Sequence, residues 1–140
     1  MQTLNDRLIR AFELTKDLVM HLDEDALQLH LSTVPSNTIG GQLWCIVGAR
    51  ESYTKAVENG VWSGFSCSLR NASSKEEVLN RLDHTYNNLL DFLDLNLTEV
   101  QITFLFDLLE HEIQHHGQLI RFVYGNHLTF PLSWKKRYTV

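Results

Sequence analysis

Apolar residues recur along this chain at intervals of three and four, and nowhere alternate over a useful length. That period predicts helices and argues against strands. Over residues 3–22, Leu4, Leu8, Phe12, Thr15, Leu18 and Leu22 form one stripe, with Asp6, Arg7, Lys16 and Asp17 off it. A short helical turn from Asp23 to Leu29 follows. A second helix is predicted over 38–59, with Ser36 or Asn37 as N-cap and Gly60 as the stop. Its large stripe is Ile39, Leu43, Ile46, Arg50, Tyr53 and Val57. Beside it runs a small stripe, Gly41, Cys45, Gly48, Ala49, Ser52 and Ala56. Glycine inside a helix costs up to ~1 kcal/mol relative to alanine, so the small stripe implies a close approach or a cavity.

Residues 61–72 read as a loop, aromatic at Trp62 and Phe65. Ser74 with Glu77 three residues on is a capping-box pattern. It opens a third helix over 75–95, facing inward with Val78, Leu82, Thr85, Leu89 and Phe92. Thr98 caps a fourth helix over 99–124 that stops at Gly125. The tail from His127 onward, with Pro131 and Trp134, predicts an extended segment packed on the helices. Four amphipathic helices and no strand give an all-α chain, a four-helix bundle with a long connection between helices 2 and 3. No repeat or linker divides residues 1–140, so one domain is expected.

The fourth helix carries the candidate chemistry. His111 and His115 are four residues apart, one turn along the same face. They fall on the series Phe104, Leu108, His111, His115, Gln118 and Phe122, the spacing of a bundle seam. Two imidazoles in such a seam are half of a site for Zn²⁺, Ni²⁺ or Fe²⁺, or a pair satisfied by backbone, Glu112 or buried water. His116 lies about 100° around the helix from His115 and should face a neighbouring helix or a partner subunit. His21, His30 and His84 read as surface residues. His-Glu-x-x-His is also the zincin pattern, but nothing else in the chain is protease-like.

Composition narrows the classes. The net charge is −5 with no basic stripe, which argues against nucleic acid as a partner. No apolar run reaches the ~18 residues of a membrane span. The first residues lack a basic and then apolar signal, and the only cysteines are Cys45 and Cys67. A cytoplasmic setting with reduced thiols is the expectation.

His111-Glu-Ile-Gln-His115-His116-Gly-Gln118 late in a fourth helix, with the helix-2 run from Thr38 to Glu51, resembles the DinB family. The resemblance covers most of the chain. It implies an up-down bundle with a crossover, a homodimer, and one divalent metal held by three histidines. Two of those match His111 and His115. The third belongs in the middle of helix 2, where this chain has Cys45, and no histidine lies between His30 and His84. Either Cys45 is a thiolate ligand, since zinc accepts one sulfur and two nitrogens, or the third ligand is lost and Cys45 is a small buried residue. Glu112 and Gln118 are the candidates for orienting the ligands. Family members with known activity imply thiol-dependent transfer, in which a small-molecule thiol attacks an electrophile. The alternatives are a metal-dependent hydrolase, and a non-catalytic bundle with a degenerate site that binds a small ligand or serves in stress.

Overall fold

A computed structural model describes residues 2–140. The described residues are all-α: α1 Gln2–His21, α2 Ile39–Asn59, α3 Lys75–Leu90, α4 Glu99–Gly125 and α5 Leu132–Tyr138, with a 3-10 turn at Glu24–Gln28. Among them the only extended pairing is an isolated bridge between His30 and Thr38.

The ends follow from capping chemistry. Thr38, not Ser36 or Asn37, caps α2, its hydroxyl accepting from Gly41 N at 2.9 Å. Asn37 is used instead as acceptor for the Gln42 side chain. Gly60 ends α2 at φ 70°, a left-handed conformation that favours glycine. Ser74 caps α3 through Glu77 N, but the Glu77 carboxylate accepts from Arg70 N and Asn71 N and so anchors the preceding loop. Thr98 and Gln101 form a reciprocal capping box at the start of α4.

Two predicted boundaries need correction. The third helix ends at Leu90, and residues 91–95 turn away. The turn still buries Phe92 and Leu93, which kept the apolar spacing helical beyond the true end. The tail is not wholly extended, because residues 132–138 form α5. Seven residues are too few for periodicity to register. Trp134 and Tyr138, one turn apart, are the face that packs inward, and the buried Trp134 indole donates to Leu14 O at 2.6 Å.

Pairings fix the topology. α1 opposes α3: Lys16 meets Asp83, and Lys75 Nζ donates to Leu22 O. α2 opposes α4: Gln42 meets His115 at one end, and Gln101 meets Val57 O at the other. Arg50 on α2 reaches Leu82 O and Thr85 on α3. Helices α1 and α4 run one way, α2 and α3 the other, in the ring order α1–α3–α2–α4. Because α2 and α3 are parallel, residues 61–72 must travel back along α2. They do so through Ser66 on Ser52, Ser68 on Glu51 and Cys67 on Trp44 O.

That return strand of chain accounts for the small stripe of α2. A Cβ on Gly48 would strike the Phe65 ring, and one on Gly40 would strike Ala72 O and Leu27 O. A Cβ on Gly41 would press on the Asn37 side chain. Where the sequence allowed a cavity beside Gly41, Cys45 and Gly48, Phe65 of the loop lies against Gly48 and Asn37 against Gly41 instead.

The apolar core falls into two clusters. One gathers Leu18, Leu43, Leu119 and Trp134, the other Leu8, Val57, Leu89 and Leu105. Near the junction of the two clusters each long helix carries a buried polar residue: Thr15, Arg50, Thr85 and Glu112.

Candidate functional site

The buried face of α4 runs Leu105, Leu108, Glu112, His115, His116, Leu119 and Phe122. This corrects the seam drawn from spacing: Phe104 and His111 are half-buried and Gln118 is exposed. The spacing drew the seam through His111 and Gln118 and left Glu112, a candidate for orienting the ligands, off it. Glu112 is 0% exposed because Arg50, 1% exposed, neutralises it.

The Arg50 guanidinium donates to both carboxylate oxygens, at 2.5 Å from Nη2 and 3.1 Å from Nε. Its remaining donors reach Thr85 Oγ1, Leu82 O and Phe12 O, and its plane lies 3.6 Å from the Phe12 ring centroid. Thr15 Oγ1 donates to Glu112 Oε1 at 2.6 Å. A hydroxyl that donates there accepts from His116 Nε2 at 2.7 Å, which leaves Nδ1 to accept from Tyr138 Oη at 2.7 Å. The network therefore assigns His116 the Nε2–H tautomer. Burial pushes the His116 pKa down to about 4, against the pull of Glu112. Burial alone would raise the Glu112 pKa, but the Arg50 charge and its hydrogen bonds hold it below the usual carboxylate value. Every polar partner in this layer is met, so it is closed to a ligand.

One turn away on the α2 side the situation differs. The His111 and His115 rings are 4.5 Å apart between centroids, tilted at 55°. His115 Nδ1 donates to Gln42 Oε1 at 2.5 Å, and Gln42 Nε2 donates to Asn37 Oδ1 at 3.0 Å. The second contact orients the amide so that its oxygen faces the imidazole. With the proton on Nδ1, the neutral ring keeps the Nε2 lone pair free. His111 Nδ1 is buried and has no hydrogen-bond partner. Burial lowers the pKa of both rings, His115 to about 4 with help from neighbouring His111. Both are thus neutral near pH 7, the form that binds metal.

Cys45 lies one turn along α2 from Gln42 and is half-buried, and burial raises its thiol pKa. Gln118 is exposed and lines a cleft with Gln42, Asn37 and Arg121. The metal that the resemblance implies finds two of its positions suited. His115 has the oriented tautomer that a metal-bound imidazole shows, and His111 has an orphaned buried nitrogen. The third position does not fit as it stands: among the described residues no three His, Cys, Asp or Glu side chains are grouped closely enough to hold a metal ion.

Comparisons with protein-family models, with curated proteins and with solved structures found no match to this chain. Spacing had singled out His111 and His115, but it missed Gln42 behind His115 and the network of Arg50, Thr15 and Tyr138 around Glu112 and His116. Arg50 gave a signal: a cation on the apolar stripe of helix 2 calls for an anion on a facing helix. Gln42 and Tyr138 gave none, since only the packing register brings them to α4.

Proposed function

We propose that this chain is a DinB-like bundle enzyme in which His111 and His115 take two positions on a divalent metal, Zn²⁺, Ni²⁺ or Fe²⁺, and Cys45, which is not grouped with them in this structure, moves in as the third. The observation that carries this reading is the facing histidine pair with Gln42 holding the His115 Nδ1 proton. An amide acceptor behind an imidazole is the arrangement that orients a ligand and raises its basicity. The reaction class is transfer of a small-molecule thiol to an electrophile. A bound metal would supply an acidified thiol. The chain's own part is to keep His111 and His115 neutral through burial, to fix one tautomer through Gln42, and to exclude Glu112 from the site by locking it onto Arg50. Cys45 must lose its proton on binding, so metal uptake should fall at low pH. A homodimer in the cytoplasm belongs to the same reading.

Metal content separates this from a degenerate bundle. Protein purified without a polyhistidine tag, and exposed to Zn²⁺ or Ni²⁺, should hold one equivalent, and His115→Ala and Cys45→Ala should each lose it. Absence of metal in the wild type after reconstitution would sink the enzyme reading. Metal retained in Cys45→Ala would name a different third ligand. With metal bound, consumption of a low-molecular-weight thiol alongside an electrophile identifies the transferase. Hydrolysis of esters or amides without thiol consumption would identify a hydrolase.

A further inference from the structure

A second feature lies on the opposite side of α4, away from the histidine pair. Three arginines, Arg7 and Arg10 of α1 and Arg137 of α5, line one cleft of about 60 Å³ whose other walls include Leu14, Leu109 and Ile113. No acidic residue lines it. A wider cleft of about 340 Å³ shares Arg10, Leu14 and Arg137 with it and adds Lys136, Ser133, Glu13 and Asp17.

The electrostatics of this place are unusual for the molecule. The chain has 17 acidic against 12 basic side chains, so carboxylates are plentiful as partners. Yet the ion pairs among the described residues are Lys16 with Asp83 and Arg50 with Glu112, and Arg7, Arg10 and Arg137 make none. Glu13, the acid nearest in sequence to Arg10 on the wider cleft, accepts from Tyr86 on α3 instead. Ser133 Oγ, lining the wider cleft, is buried without a hydrogen-bond partner. Burial raises the pKa of the Tyr138 hydroxyl, and the charges of Arg137 and Arg10 oppose part of that rise.

Three like charges drawn together on an apolar floor repel one another unless an anion joins them. Glu13 and Asp17 line the wider cleft and Asp6 shares a further one with Arg7 and Arg10, so it is the narrow cleft, of one sign, that focuses its field on such an anion. The guanidinium fork matches the two oxygens of a carboxylate or phosphate. We propose that the α1–α4–α5 cleft binds a small organic oxyanion, a carboxylate or phosphate seated between Arg7, Arg10 and Arg137 with a short apolar body lying in the wider cleft beside Leu14. This inference does not rest on the metal reading.

Octanoate, acetate and inorganic phosphate are the probes, titrated by calorimetry at low ionic strength into the intact chain. Octanoate should bind saturably, one per chain, and more tightly than acetate. Arg137→Ala and Arg10→Ala should each weaken it about tenfold or more, and the double variant should abolish it. All three arginines are exposed, so these variants should keep the wild-type circular dichroism and Tm. Arg70→Ala, also exposed and on the α2–α3 connection, should bind octanoate as the wild type does. Phosphate should displace octanoate, because both use the same guanidinium seat. Octanoate binding that is unsaturable, undiminished in Arg10→Ala/Arg137→Ala, or equally lost in Arg70→Ala would overturn the assignment. Failure of phosphate to compete would overturn the shared seat, and equal affinity for acetate and octanoate would overturn the apolar contact.

Discussion

Glu112 and His111 are neighbours on α4, and their surroundings differ in kind. Glu112 is fully enclosed: Arg50, Thr15 and, through Thr15, His116 and Tyr138 satisfy one another in a chain that touches α1, α2, α4 and α5. His111 and His115 sit on the adjoining face with one nitrogen orphaned and one tautomer fixed from behind. A satisfied buried network specifies how helices pack. An incompletely satisfied cluster of neutral ligands is where a further group can be received. The comparison teaches that polar burial in one helix can serve two purposes, and that the count of hydrogen-bond partners separates them better than burial does.

The sharpest way to break the comparison is to unpair the closed layer. Arg50→Met leaves a buried carboxylate and Glu112→Leu a buried guanidinium, and each should cost about 3–5 kcal/mol in urea unfolding. The double variant Arg50→Met/Glu112→Leu should lose less than either single variant, since neither charge is then stranded. A double loss equal to the sum would mean that the two charges do not interact.

Acid tests both faces together. His115 and His116 titrate near 6.5 when unfolded and near 4 in the fold. Between those values the unfolded chain binds protons that the folded chain does not. Stability of the metal-free protein should therefore be full above pH 6.5 and fall as pH drops toward 4, by up to about 3 kcal/mol for each imidazole. Depression of the Glu112 pKa acts in the same direction at lower pH. A flat profile across this window would contradict the buried neutral imidazoles.

Smaller effects divide the faces. Tyr138→Phe removes the donor to His116 Nδ1 and should cost about 1–3 kcal/mol in thermal or urea unfolding, with metal uptake unchanged. Gln42→Leu should do the converse: a stability change near 1 kcal/mol, but a metal affinity lowered about 10–100-fold by titration. If Gln42→Leu bound metal as the wild type does, the amide would have no part in orienting His115.

Much of this was legible in the sequence. The stripes of residues 3–22 and 38–59 and the cap at Thr98 predicted helices that the structure contains, and the all-α class followed. Leu90 as the end of α3 was hidden because Phe92 and Leu93 continue the apolar spacing into a turn. The α5 helix was hidden by its length. At the site, the i, i+4 spacing found His111 and His115, but a one-residue ambiguity in the seam placed Gln118 inward and did not put Glu112 on the buried face. Resolving it requires knowing that Arg50 faces Glu112, which is a matter of register between helices and not of either sequence pattern alone. The small residues beside Cys45 left a close approach and a cavity both open, and only the path of residues 61–72 reveals that Phe65 lies against Gly48.

The most direct test concerns Cys45, the residue proposed to complete the site. Tag-free protein loaded with Co²⁺ should display a thiolate-to-cobalt charge-transfer band in the near ultraviolet. The band should persist in Cys67→Ser and vanish in Cys45→Ser and His115→Ala. A wild-type spectrum without that band, or a band unchanged in Cys45→Ser, would contradict the claim that the histidine pair is one part of a three-ligand metal centre closed by Cys45.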